Sequence, residues 1–189
     1  MTENLQQLHQ RSLEEFDRRV KGIGSDQWGN ATPCSEWSVR DLVNHIVNED
    51  RWTVPLMQGA TIEEVGDRFD GDLLGDDPKG SWELAKKEAS NAVQAEGALD
   101  RIVNVSWGQI PATEYVGQLF TDHVIHSWDL ARGIGADDTL DAELVEVCYS
   151  MVKPREKQIA GSGVFGTPIA VSEAADTQTK LLAIMGRER

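Results

Sequence analysis

The chain has 189 residues and carries 18 Lys+Arg against 32 Asp+Glu, a formal net charge of −14. That field repels phosphate backbones and excludes DNA or RNA as an expected partner. No stretch approaches the roughly 20 apolar residues that span a bilayer, and MTENLQQLHQ lacks the basic-then-apolar order of a signal peptide. A cytoplasmic protein is therefore expected, with residues 1–189 forming one helical-bundle domain and no membrane contact.

The first predicted helix covers 3–22, where Leu5, Leu8, Leu13, Phe16 and Val20 recur at helical spacing and Gly22 and Gly24 stop the run. His9 lies here among polar neighbours and is expected in solvent. The second helix opens at Ser38, with Asp41 completing a capping-box pattern. Val39, Leu42, Val43, Ile46 and Val47 then follow the amphipathic rule, and Pro55 should end or kink the helix near residue 57. The Gly- and Asp-rich stretch 59–79 reads as a long connection with room for one helical turn.

A third helix fits 80–99, marked by Trp82, Leu84, Ala85, Ala89, Ala92 and Val93, with a Glu83–Lys87 pair outside. The segment RIVNVSWGQIPATE has strand propensity and turn residues, and predicts a short extended stretch or hairpin. A fourth helix runs 112–133 up to Gly133 and Gly135, and a fifth 140–153 up to Pro154. GSGVFGTP reads as loop and TQTKLLAIMGRER as a short terminal helix. Helices with so little strand mean an all-α bundle. Cys34 and Cys148 share no metal-binding spacing and are expected free, as small hydrophobes rather than nucleophiles.

The fourth helix carries TDHVIHSWDLARG, in which core-forming residues alternate with metal-capable ones. Asp122 and His126 are four apart, so they share one face and both tips can reach one ion. Tyr115 and Asp129 lie on the same stripe, whereas His123 is turned about 60° from His126 at roughly 100° per residue, which makes it the weaker ligand. A third ligand must come from a facing helix. His45 borders the apolar stripe of the second helix, and Glu49, four residues on, is either an alternative ligand or a surface charge. Two histidines, one carboxylate and an open position make the ligand count of a catalytic zinc site, and the same set suits nickel, iron(II) or manganese. The alternative is a hydrogen-bonded pair with no ion.

TPCSEWSVRDLVNHIV, TDHVIHSWDLARGIG and TQTKLLAIMGR together resemble the DinB/YfiT-like metalloenzymes. The branch they most resemble is the actinobacterial one related to the N-terminal domain of mycothiol-dependent maleylpyruvate isomerase. The likeness spans about residues 5–186, with little signature over 57–100. It implies a DinB-like four-helix bundle with an extra C-terminal helix and a divalent metal ion held by His45, Asp122 and His126. Trp128 and Asp129 belong to the motif as packing or orienting groups, Asp129 as a partner of a ligand histidine.

Two departures stand out. The isomerase has Glu where this chain has Asp122, one methylene shorter, and the short stretch after Gly135 is expected to leave little room for the isomerase's separate C-terminal domain. The implied chemistry is metal-dependent handling of a low-molecular-weight thiol such as mycothiol, as S-transfer or thiol-assisted isomerisation of a small-molecule substrate. The alternatives are a non-catalytic metal- or ligand-binding sensor or stress protein and a purely structural bundle. An exposed apolar helix face would permit a homodimer.

Overall fold

The computed structural model describes residues 2–162 and 166–189. Four long helices build the bundle: α1 (Thr2–Gly22), α2 (Val39–Met57), α4 (Pro78–Gln94) and α5 (Ala112–Ile134). They pack as a closed ring in which α5 touches α1 and α2, and α4 touches α2 and α1. This is the all-α, DinB-like bundle the sequence implies. Between α2 and α4 lies the short α3 (Ile62–Val65), and between α4 and α5 an antiparallel hairpin of β1 (Ile102–Val105) and β2 (Gly108–Pro111). Then α6 (Ala142–Val152), α7 (Glu156–Ser162) and α8 (Thr177–Ile184) follow. Gly161 and Ser162, expected to open the GSGVFGTP loop, instead end α7; part of that loop lies outside the described residues, and 166–176 is irregular.

The helix ends follow their capping chemistry. Ser38 and Asp41 form the reciprocal box at the start of α2, the Ser38 amide donating to Asp41 Oδ2 at 2.9 Å and the Asp41 amide to Ser38 Oγ at 3.2 Å. Thr61 and Glu64 repeat the device on α3, the helical turn allowed for in the 59–79 connection. That connection is laced to α2, since Asn44 donates to the Gly71 carbonyl and accepts from the Leu73 amide, and Asn48 donates to the Phe69 carbonyl. Asp77 caps α4 with Pro78 at its first position. Gly135, at φ +67°, closes α5 in a conformation that costs a side chain dearly. Pro55 sits inside the last turn of α2, which ends two residues later at Met57.

The apolar stripes meet as drawn from the sequence. Leu13, Phe16 and Val20 of α1 pack with Leu42, Val43, Ile46 and Val47 of α2, Trp82 and Ala85 of α4, and Leu130 and Ile134 of α5. A second apolar layer joins the other side of α5, through Phe120, Val124, Ile125 and Trp128, to α6 and α8. This explains why α5 is buried almost all round while the other helices are amphipathic. The expected Glu83–Lys87 pair is replaced by Lys86, which bonds Glu83 and also Asp17 of α1. No helix among the described residues is long and apolar enough to cross a membrane.

Candidate metal centre

His45 stands on α2 one turn beyond Leu42, at the edge of the buried stripe, and faces α5. Asp122 and His126, one turn apart on α5, point back at it. Asp122 Oδ2 lies 3.0 Å from His45 Nε2, and its Oδ1 lies 3.4 Å from His126 Nε2. The three side chains offer ligand atoms that are all within 4.8 Å of one another. His126 is buried at 4% exposure, while His45 and Asp122 are only half-buried, so the group opens outward on their side. Trp37, from the loop before α2, covers both imidazoles, its ring 4.8 Å from that of His45 and 5.8 Å from that of His126.

The far side of His126 is fixed by a chain of charge. Its Nδ1 lies 3.0 Å from Asp129 Oδ2, and Asp129 accepts from Arg187 Nη2 at 2.8 Å and from Nε at 3.3 Å. Arg187 arrives from the segment after α8, where Gly186 at φ +76° turns the chain inward. Its other nitrogen donates to the Met185 carbonyl at 2.7 Å. A carboxylate on Nδ1 fixes the imidazole's rotation and leaves Nε2 to face the group, as an oriented metal ligand requires. Asp129 is thus the hydrogen-bond partner that holds the His126 ring, whereas nothing in the sequence pattern assigns Arg187 a role.

The electrostatics agree with that geometry. Burial alone would raise Asp122, but the charge on His126 and hydrogen bonds to His126 and His45 outweigh it and hold the carboxyl well below its ordinary range. Burial would likewise depress His126, but Asp122 and Asp129 reverse the effect and hold it up at about 9. Without an ion, the site is an imidazolium–carboxylate pair. A divalent cation can take the proton's place between the same atoms, so the residues fit such an ion. Glu49, one turn after His45, is raised chiefly by burial, and the charges of Asp122, His45, Asp50 and His123 all act on it. It is half-buried rather than on the open surface.

One expectation needs correction. His9, expected in solvent, is fully buried, because it is in phase with Leu13, Phe16 and Val20 on the inner face of α1. That phase is legible in the sequence, but the polar neighbours Gln7 and Gln10 belong to other faces of the same helix. His123 does point away from Asp122 and His126, but into the protein, where its Nε2 meets Asp50 Oδ1 at 3.2 Å. Asp50 in turn is in phase with Ile46, Val47 and Thr53 on the buried face of α2.

Cys34 and Cys148 are both free. Burial pushes the Cys148 thiol up to about 12 and raises Cys34 as well, against the pull of nearby Arg187. An open groove of about 520 Å³ lies elsewhere, lined by residues including Glu15, Arg19, Gln27, Ile134 and Thr139. None of its lining residues belongs to either histidine cluster, so the converged ligands mark the candidate site and the groove does not.

The comparisons with known proteins point the same way. Residues 9–131 match the family model for the mycothiol maleylpyruvate isomerase N-terminal domain. Uncharacterized protein Rv0738 of Mycobacterium tuberculosis strain H37Rv, and Uncharacterized protein MT0763 of strain CDC 1551, are each 32% identical over 140 residues, covering 72% of this chain and 70% of theirs. The crystal structure of the mycothiol-dependent maleylpyruvate isomerase superposes with a TM-score of 0.65 at 18% identity, over 86% of this chain and 74% of that one. A histidine-to-alanine mutant of it gives 0.64 at 17% identity, with the same coverage. The match extends from His9 on α1 through the whole of the His45, Asp122 and His126 cluster, and on it the chain belongs to the mycothiol maleylpyruvate isomerase N-terminal domain family.

Proposed function

We propose that this protein binds a divalent metal ion, zinc first, through His45, Asp122 and His126, and works on a low-molecular-weight thiol of the mycothiol type. The observation that carries this reading is the convergence of three ligand atoms within 4.8 Å, with His126 held in register by Asp129 and Arg187. When bound, such an ion lowers the pKa of a coordinated thiol and supplies a thiolate nucleophile at neutral pH.

The chain's own residues do the rest. Asp129 and Arg187 hold His126 so that Nε2 faces the open side. Trp37 roofs both imidazoles and keeps bulk water from that face. His45 and Asp122 form the half-open edge by which a thiol and an electrophile enter. Glu49, whose carboxyl is raised by burial, is the group that takes up the thiol proton at its oxygen. In S-transfer the new S–C bond forms as the electrophile's leaving group departs. In isomerisation the thiol adds to a conjugated double bond and is expelled after rotation. The membership of a family named for mycothiol-dependent isomerisation favours the second.

The test compares zinc-loaded and chelated protein for turnover of an aryl halide and of a conjugated cis-diacid, each with an added thiol. Turnover that needs both zinc and thiol, and is lost in His126→Ala, is the expected result. Zinc bound at these residues without turnover of either substrate would leave the non-catalytic metal-binding protein. The burial of His126 and Asp129 gives that second reading its support.

A further inference from the structure

The inner cluster shares no ligand with the site just described. His9 of α1, Asp50 of α2 and His123 of α5 come from three helices, and all three are fully buried. Their ligand atoms lie within 4.8 Å of one another. Neither ring nitrogen of His9 has a hydrogen-bond partner, and Asp50 Oδ2 has none either. Buried polar groups of this kind are normally satisfied, and three orphaned atoms in one enclosed place require a missing partner.

His123 is held at both ring nitrogens. Ser12 Oγ has a single proton, and it donates it to the His9 carbonyl at 2.8 Å. Toward His123 Nδ1, 3.4 Å away, Ser12 Oγ can therefore only accept, so Nδ1 carries the hydrogen. Its Nε2 faces Asp50 Oδ1 at 3.2 Å, a contact that holds either a second ring proton or a metal cation. Burial first, and the charge of the neighbouring His123 second, hold His9 well below its ordinary pKa and favour its neutral form. A neutral imidazole is the form that ligates metals.

We propose that His9, Asp50 and His123 form a second, enclosed metal site for a divalent transition ion of the zinc type. Two imidazoles and a carboxylate are the donor set such ions select. Coordination at about 2.0–2.2 Å calls for ligand atoms roughly 3.5 Å apart, so the three side chains close inward by small rotations. The Ser12 contact orients His123 as Asp129 orients His126. Because no ligand faces solvent, the ion has no place for substrate, and its work is to pin α1 to the α2–α5 pair behind the outer site.

The direct test is crystallographic. Protein grown with zinc is examined by anomalous scattering at the zinc edge, with the inner and outer positions read separately. A peak within bonding distance of His9, Asp50 and His123 is expected whether or not the outer site is filled. Ordinary density without anomalous signal there would be a water molecule and would overturn the proposal. A missing outer peak would instead count against the reading of His45, Asp122 and His126. In solution, zinc content should be two ions per chain, falling to one in His9→Phe and to one in His126→Ala. His9→Phe protein that is folded by circular dichroism and still holds two ions would also overturn it.

Discussion

Two groups of the same composition, His, Asp and His, share α2 and α5, the inner one adding His9 of α1, yet they face opposite conditions. The outer group reaches the surface through His45 and Asp122, and its polar atoms are paired with one another and with the Asp129–Arg187 chain. The inner group is sealed, and His9 and one oxygen of Asp50 are left without partners. The consequence shows in His9 and His126, two of the three buried imidazoles. His126, pressed against carboxylates, is held up at about 9, whereas His9, with no acceptor, is driven well below its ordinary value. Identical side chains thus become a cation in one place and a neutral base in the other, because desolvation wins only where no opposite charge answers it.

The sharpest way to separate the two groups is to cut the Asp129–Arg187 chain. Asp129→Ala leaves Arg187 buried and unpaired, and should cost about 3–5 kcal/mol in urea unfolding of the chelated protein. It should also weaken zinc at the outer site by about 10- to 100-fold, since His126 loses its orienting partner. Inner-site zinc should be unchanged, and equal loss from both sites would erase the distinction drawn between them.

Acid and alkali should find the two groups in turn when the protein is metal-free. His126 has a folded pKa raised to about 9 from 6.5, so its stabilisation is complete below about 6.5 and is lost as pH climbs to 9, a change on the order of 3 kcal/mol. His9 has a depressed pKa, so the unfolded chain takes up a proton below about 6.5 that the folded one refuses, and this group destabilises the fold toward acid. Stability by chemical denaturation should therefore peak near 6.5 and fall on both sides. His126→Gln should flatten the alkaline limb only, and His9→Phe should soften the acid one.

A smaller effect carries a change of sign. In chelator, His9→Phe replaces an unsatisfied imidazole by a ring of similar shape and should be neutral or stabilising by about 1 kcal/mol. With excess zinc the same substitution should destabilise, because the wild type gains the ion's binding energy and the variant does not. Thermal melts of both proteins in the two buffers would show the crossing, and parallel curves would argue that no ion binds there. Least of all should change at the hairpin tip. Trp107→Ala, at a residue 69% exposed, should stay within about 0.5 kcal/mol and leave both zinc sites intact, as metal analysis and unfolding would show.

Much of this was written in the chain itself. Helical periodicity in α1, α2, α4 and α5 is local physics, and so are the Ser38–Asp41 box and the Gly135 stop, so their limits follow from the sequence to within a few residues apart from the C-terminal end of α4. The pairing of Asp122 with His126 is equally local, since four residues on a helix can face only one way. The position of His45 was legible because it borders an apolar stripe that must meet α5.

Only the tertiary structure decided what lies opposite each stripe. His9 and Asp50 occupy core-facing phases, but a polar residue in such a phase is read as an edge until its neighbours are known, and those neighbours come from helices about forty to more than a hundred residues away. Arg187 reaches Asp129 across 58 positions of chain, a pairing that no periodicity encodes. Local propensity thus determined the elements and their faces, whereas the meeting of α1, α2 and α5 decided which polar groups would be answered by charge and which would be left facing one another in the dark of the core.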